Sequence, residues 1–472
     1  MAKNYQRVIH WFRRDLRLSD NTALNAACSS AKEVIPVYVI SDWSGSHNWT
    51  GPPRQAFLCG CLESLQKNLE RFGGLLIFRR GKADEELMRL VTETKAEAIF
   101  FNKDPDPFGR QMEQQIADAC QNAGIDAIGH QDHVLHAADE ILTQNGDPYR
   151  IYSPYGRNWR DREKRSPGPT AKSFQTPEGI SSLDAPTLQT WKLSATTTKF
   201  LDPGEKAARE RLKTALSGPL PDYGSKRDTP AGRTTSRLSQ DLRFGLISVR
   251  EIYSKVNQAA QNTDSADARD SFGKFIGELA WREFYMAILA HWPEVFEVEF
   301  NPQWRGLPWD EPGQAFERWC EGTTGFPIVD AGMRELNATG FMHNRVRMIV
   351  AMFLTKDLHI DWREGEKIFM QRLVDGENAS NNGGWQWSAG VGADAAPYFR
   401  IQNPWTQTKR YDPAGEYIRQ WVPELEKAEA KNLYTAPKPG ESVFRGYPVP
   451  VVDHGEERDR CLAMFKAHKQ AN

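Results

Sequence analysis

Short β-branched and aromatic runs recur through the first 135 residues, each separated from the next by a helical pattern, and then cease. Val8–Phe12, Val34–Ile40, Leu75–Phe78 and Ala98–Phe101 have strand character, and Ile125–Gly129 is a candidate fifth strand. Helical periods fill Arg54–Arg71, Asp84–Thr94 and Gly109–Ala123. Strands that alternate with helices of this length pair in parallel, because each return crossing carries a helix over a sheet face. A Rossmann-like parallel sheet covered on both faces is therefore expected over 1–135. The turn after the first strand reads Arg13-Arg14-Asp15-Leu16-Arg17, so a G-x-G-x-x-G dinucleotide fingerprint is absent.

From Asp161 to Glu205 the pattern turns irregular. Pro167, Pro169, Pro177, Pro186 and Pro203 punctuate a Ser/Thr-rich stretch that can sustain neither helix nor central strand. With the residues before it, 136–205 is expected to be an interdomain linker. Helical periods then dominate, at Ile247–Gln261, Ser271–His291, Ile328–Leu336, Asn344–Thr355 and Glu366–Leu373. The expected architecture is an α/β N-terminal domain (1–135), a linker (136–205) and a large all-α domain (206–472).

Composition narrows the compartment and the partners. The net charge of −2 makes the chain no polycation, so nucleic-acid binding would need a local basic surface. The six cysteines form no C-x-x-C pair, so neither a metal site nor a disulfide framework is expected. Met1–His10 has no apolar run of a signal peptide, and the longest strictly apolar stretch, Met348–Leu354, is too short to span a bilayer. A reduced, cytoplasmic protein is expected. Of 15 tryptophans, ten lie at or after Trp281. Indoles commonly fill cores, but such a concentration also suits stacking or electron transfer.

Four stretches carry chemistry. Glu278, Trp281, Arg282 and Tyr285 fall at i, i+3, i+4 and i+7, on one helical stripe. A carboxylate, a guanidinium and an indole make poor core unless partnered. Asn344, Arg347 and Met348 share a second face, with Arg345 to one side. Asp375–Arg400 is dense in amides, carboxylates and indoles, and its Gly383-Gly384 pair permits close approach of backbone to a ligand. Thr234–Ser239 presents hydroxyls and N–H groups ahead of a helix, which suits a phosphate cradle or a simple helix cap.

These segments resemble the photolyase/cryptochrome family over nearly the whole chain. HWFRRDLRLSDNTAL resembles that family's N-terminus, and ELAWREFY, TGFPIVDAGMRELNATGFMHNRVRMI, DWREGE and NNGGWQW resemble its FAD domain. Met342-His343-Asn344-Arg345 resembles class I cyclobutane-dimer photolyases. The paired histidines of (6-4) photolyases are absent around His343, and DASH cryptochromes usually carry serine there. The resemblance implies light-driven repair of pyrimidine dimers in UV-damaged DNA by a monomer, through an electron from reduced FAD. A blue-light sensor without repair and (6-4) repair are the alternatives.

The same resemblance implies residue roles. Tyr223 and Thr235, Ser236, Arg237, Leu238 and Ser239 would contact the FAD phosphates and sugar. Phe275, Arg282, Arg347, Asp375, Gly376 and Glu377 would hold the cofactor, and Asn381 would face flavin N5. Glu278 would bond the pyrimidine edge, with Trp281 and Trp387 against the dimer. Arg227, Arg282, Tyr285, Asn344, Arg345, Met348 and Arg400 would complete the DNA contacts. Trp385, Trp362 and Trp319 would relay electrons to oxidised flavin. Phe275 and Phe341 stand where some relatives carry tryptophan. An antenna chromophore, methenyltetrahydrofolate or 8-hydroxy-deazaflavin, is implied for the N-terminal domain. A glutamate that serves the folate in some relatives falls at Gly109, and Asp106–Arg110 looks closer to the deazaflavin binders.

Overall fold

The computed structural model describes residues 4–172, 174–232 and 234–471. The first three residues and the last one of the expected domain ranges lie outside them. Five strands, β1 (Tyr5–Phe12), β2 (Ala31–Ile40), β3 (Ile77–Arg80), β4 (Ala98–Asn102) and β5 (Asp126–His130), form one parallel sheet in the order β3-β2-β1-β4-β5. Val8 of the central strand pairs with Val34 on one side and Ala98 on the other. The helices α1 (Thr22–Ser30), α2 (Pro52–Glu70), α3 (Ala83–Thr94) and α4 (Pro107–Ala123) cover both faces. Covering on both faces is why these strands read as unbroken apolar runs. The expected α/β unit is thus present.

Local chemistry sets the ends of the helices. Asn21 caps α1, its side chain accepting from Leu24 N–H at 3.1 Å. Asp106 and Pro107 open α4, and Gly124 closes it in the left-handed region at φ 68°.

The 136–205 stretch is more structured than a linker. It holds α5 (Tyr152–Asp161), and beyond that helix it is tied down at intervals. Ala171 N–H donates to Leu18 at 3.1 Å, and Trp191 is buried. Between Asp161 and Glu205 the regular structure among the described residues is one short 3-10 helix, Leu188–Trp191, so proline limited regular structure there without preventing docking.

Helices form the remainder: α6 (Glu205–Ser217), α7 (Tyr223–Lys226), α8 (Ser239–Phe244), α9 (Val249–Asn262), α10 (Ala266–His291), α11 (Gln314–Glu321), α12 (Pro327–Thr339), α13 (Asn344–Met352), α14 (Trp362–Arg372) and α15 (Asn378–Ala389), with shorter ones and His454–Ala471 beyond. The expected helix Asn344–Thr355 instead changes into a π-helical turn over Phe353–Asp357.

One apolar core runs from the sheet into the helices, joining Phe12, Phe57 and Leu65 to Phe244, Phe272 and Phe284. A second core holds Trp319, Trp362, Trp385 and Phe465. Buried ion pairs lock the α/β unit to α9: Arg250 meets Asp20 at 3.0 Å and Asp132 at 2.7 Å, and Arg17 meets Asp132 at 2.6 Å. Breaking one member of such a set leaves an uncompensated buried charge, which ties α9 to the α/β unit.

Candidate functional site

A cavity of about 590 Å³ opens among α7, α8, α10, α13 and α15. That size is in the ordinary range for a cofactor site. The helix α10 supplies one wall. Ser265 caps it, accepting from Ala268 N–H at 3.2 Å, and its 26 residues carry Phe275, Glu278, Trp281, Arg282 and Tyr285 to the cavity. The i, i+3, i+4, i+7 stripe therefore converges as its spacing required. His343 caps α13 through Nδ1, which accepts from Arg345 N–H at 3.2 Å. That helix brings Asn344, Arg345, Arg347 and Met348 to the opposite wall.

The base is built from Asp375, Gly376 and Glu377 followed by α15, which supplies Asn381, Trp385 and Trp387. The two glycines of this helix do different work. A Cβ on Gly383 would fall 2.1 Å from the Tyr285 ring, so this glycine permits helix packing rather than ligand approach. A Cβ on Gly384 would meet nothing within 4 Å, and Gly384 lines the cavity.

Charge is ordered around this base. Arg347 Nη2 reaches both oxygens of Asp375, at 3.1 and 2.9 Å, and its Nε donates to the Met342 carbonyl at 2.7 Å. Arg14, from the turn after β1, donates to Glu377 at 2.6 Å, and Arg282 lies 3.9 Å from the same carboxylate. Burial alone would raise the Glu377 carboxyl, but Arg14, Arg243 and Arg282 outweigh it and hold the group below its ordinary value. At the mouth, Glu278 pairs with Arg227 at 2.8 Å. Burial raises the Glu278 carboxyl and Arg227 only partly opposes this.

The hydroxyl-rich segment supplies Thr235, Ser236, Arg237, Leu238 and Ser239, and Tyr223 stands beside Phe275 with ring centroids 5.6 Å apart. Arg237 takes a left-handed φ of 54°, lies 3.6 Å over the Phe341 ring, and keeps a buried Nε without a hydrogen-bond partner. Hydroxyls, an unspent guanidinium N–H and an open glycine wall suit phosphates at one end and a planar heterocycle at the other.

Not every candidate is gathered here. Arg400 is exposed on the loop after α15 and does not line the cavity. Trp362 and Trp319 are wholly buried behind the wall. Trp319 lies 6.2 Å from Trp385, with the Phe369 ring 4.9 Å from Trp385 and 6.3 Å from Trp319. Sequence reasoning missed Arg14, Asp228, Arg243, Ser380 and Ser388. Arg14 lies in the very turn noted for lacking a glycine fingerprint, and Asp228 follows Arg227 and pairs with Arg345 at 2.8 Å.

Comparison with known proteins shows the family. A family model for DNA photolyase matches residues 8–177, and one for the FAD-binding domain of DNA photolyase matches 275–467. A deoxyribodipyrimidine photo-lyase of Synechococcus sp. is 39% identical, covering 98% of this chain and 97% of that protein. The crystal structure of a bacterial class III photolyase from Agrobacterium tumefaciens superposes with a TM-score of 0.92 at 38% identity, over 100% of this chain and 99% of that one. A Synechocystis cryptochrome structure gives 0.88 at 29% identity, over 98% and 100%. Among the described residues, no helix is long and apolar enough to cross a membrane. On a sequence and structural match that runs almost end to end, the chain belongs to the DNA photolyase family, and 275–467 is its FAD-binding domain.

Proposed function

We propose that this protein repairs cyclobutane pyrimidine dimers in UV-damaged DNA. The observation that carries this reading is that one cavity collects both sets of side chains. Tyr223, Thr235–Ser239, Arg347, Asp375–Glu377 and Asn381 suit FAD, while Glu278, Trp281, Tyr285, Asn344, Arg345, Met348 and Trp387 suit a flipped-out pyrimidine pair. Placement in class I rests on Met342–Arg345 and belongs to the same proposal.

Bound and reduced, the flavin supplies one electron to the dimer under light, and recovers it once the two cyclobutane bonds have opened. The chain does the rest. Photolyases are among the enzymes that extrude their target base, at a cost smallest where the lesion already stacks and pairs badly. The indoles of Trp281 and Trp387 offer apolar faces to the extruded pair. Glu278 hydrogen-bonds the pyrimidine edge and supports the charge that arrives there. Arg227 and Arg345 at the mouth, with Arg400 outside it, give sequence-independent affinity for phosphates. Asn381 donates to the Glu366 carbonyl at 3.2 Å, which restrains its amide, and it would face N5 of a bound flavin. Trp385 and Trp362 serve light-driven reduction of oxidised flavin, and Trp319, the third indole of the expected relay, packs against Trp385.

The antenna proposal keeps its two chromophores. At Gly109 there is no room for the glutamate that serves the folate in some relatives. A Cβ there would fall 2.4 Å from the Asp104 Cβ, so a glutamate cannot replace this glycine without a backbone shift.

The deciding experiment loads the protein with FAD, reduces it, and illuminates it with oligonucleotides carrying either a cyclobutane dimer or a (6-4) photoproduct. Restoration of the cyclobutane dimer alone is expected. Restoration of the (6-4) lesion alone refutes the substrate, and binding without repair of either leaves the sensor reading.

A further inference from the structure

We propose that Glu299 is the proton acceptor of the tryptophan relay, taking the indole proton of Trp362 when that residue is oxidised. This rests on the relay reading given above.

Trp362 opens α14 and is wholly buried. Its Nε1–H donates to Glu299 Oε1 at 3.2 Å, and the Glu299 side chain is itself only 3% exposed. That carboxylate is held firmly. Arg363 Nη1 donates to the same oxygen at 3.1 Å and to both oxygens of Asp361 at 3.0 Å. Arg305 Nε holds the Glu299 backbone carbonyl at 3.0 Å. On the other side, Trp362 shares a helix face with Gly365, three residues on. A Cβ at Gly365 would fall 2.1 Å from the Trp385 ring, so the two indoles belong to adjoining layers of one packed core.

An indole N–H is a very weak acid until the ring loses an electron, when it becomes a strong one. Solvent cannot take that proton from a wholly buried ring. Glu299 is a base within hydrogen-bond reach of the nitrogen, the geometry proton transfer demands. Trp319 differs, because its Nε1–H donates to the Val350 backbone carbonyl at 3.2 Å, which cannot hold a proton.

The step balances. Trp362 gives one electron to oxidised Trp385, and its Nε1 proton crosses to Glu299 Oε1. A radical cation beside a carboxylate becomes a neutral indolyl radical beside a carboxylic acid. Arg363 keeps Asp361 as its counter-ion, so no buried charge is stranded. When a further donor returns an electron to Trp362, the proton returns with it. The transfer stabilises the hole away from the flavin and slows its return.

Flash photolysis of the FAD-loaded protein tests this, reading the separate absorption bands of cationic and neutral tryptophan radicals in H₂O and D₂O. The unmodified protein should form the neutral radical with a hydrogen isotope effect. Glu299→Gln keeps the size and hydrogen bonding of the side chain without its basicity. It should slow neutral-radical formation by roughly tenfold or more and prolong the cation, with FAD content unchanged. Neutral-radical kinetics equal in both proteins, or no isotope effect in the unmodified protein, overturns the proposal. Trp362→Phe separates it from the relay itself: undiminished photoreduction in that variant discards the relay, whereas blocked photoreduction beside unaltered Glu299→Gln kinetics discards Glu299 alone.

Discussion

Tyr152 lies face to face with Trp281, ring centroids 3.6 Å apart and planes 11° from parallel. Its hydroxyl donates to the Gly277 carbonyl at 2.9 Å, so the phenol is clamped to α10 at both ends. A helix inside the expected linker thus fixes the orientation of an indole that lines the cavity. Tyr152→Leu should raise KM for dimer-containing DNA roughly twofold to tenfold, as expected for an aromatic pair worth about 0.5–1.5 kcal/mol. FAD content should not change, and Tyr152→Phe, which keeps the stack, should restore KM. Equal KM in all three proteins would deny Trp281 this dependence.

Arg14 couples the sheet to the flavin site. It stands in the turn after the central strand and bonds both Asp104, at 3.0 Å, and Glu377, at 2.6 Å. Removing it takes away the closest partner of the buried Glu377 and leaves Arg282 at 3.9 Å and the nearby charge of Arg243. Loss of one partner from such a pair costs about 3–5 kcal/mol. Arg14→Ala should therefore lower Tm and release FAD on dilution at concentrations where the unmodified protein retains it. Arg13→Ala is the comparison, because Arg13 pairs with Glu113 and Asp104 but not with Glu377. FAD retained equally by both variants would show that the coupling is absent.

These two contacts show what a linear reading finds and what it cannot. The stripe on α10 was legible because i, i+3, i+4, i+7 spacing alone places its members on one face. The strands were legible because full coverage leaves continuous apolar runs. Arg14 and Glu377 lie 363 positions apart, and pairing at that distance leaves no period to detect. The helix α15 was hidden for another reason. Asn378–Ala389 contains adjacent asparagines and adjacent glycines, all weak helix formers. Packing holds it, with Gly383 against Tyr285, and that contact is tertiary. The π-helical turn after Met352 carries a period that an α-helical template continues straight through.

Glu278 and Arg227 face one another across the cavity mouth at 2.8 Å. A bound dimer must compete with Arg227 for the Glu278 carboxyl, and a phosphate must compete with Glu278 for Arg227. The two variants should differ accordingly. Glu278→Ala should lower kcat at least tenfold while FAD stays bound, because the group acts on charge arriving at the lesion. Arg227→Ala should weaken binding to all DNA and reduce the slope of log affinity against log salt by about one. A kcat unaffected by Glu278→Ala, or an unaltered salt slope for Arg227→Ala, removes the corresponding role.

Glu366 should leave its mark on the pH dependence of stability. It is wholly buried on α14, one carboxyl oxygen has no hydrogen-bond partner, and its backbone carbonyl holds Asn381. Burial pushes its carboxyl from 4.5 up to about 8. Between those values the folded protein keeps a proton that the unfolded chain has released, so stability falls as pH rises through the window. Glu366→Gln abolishes this titration. Its Tm relative to the unmodified protein should increase steadily from about pH 4.5 to about 8 and then level off. A Tm difference independent of pH would mean that Glu366 is ionised in the folded protein throughout.

An electron route must end where a donor in solution can reach it, and Trp319 does not satisfy that requirement. It is wholly buried, touches Trp385 rather than solvent, and spends its N–H on Val350. Trp309 is half-buried instead, and the next residue, Asp310, takes the His359 carbonyl at 2.8 Å and pairs with Ile360, two positions before Trp362. That places Trp309 beside the outer end of the segment leading to Trp362. Trp385→Phe should abolish light-driven flavin reduction by an external thiol while sparing repair by chemically reduced enzyme. Trp309→Phe should slow the same photoreduction several-fold, and Trp319→Phe should do so less, acting only through packing against Trp385. If Trp319→Phe is the more damaging of the two, charge leaves through the buried indole and the exit at Trp309 is wrong.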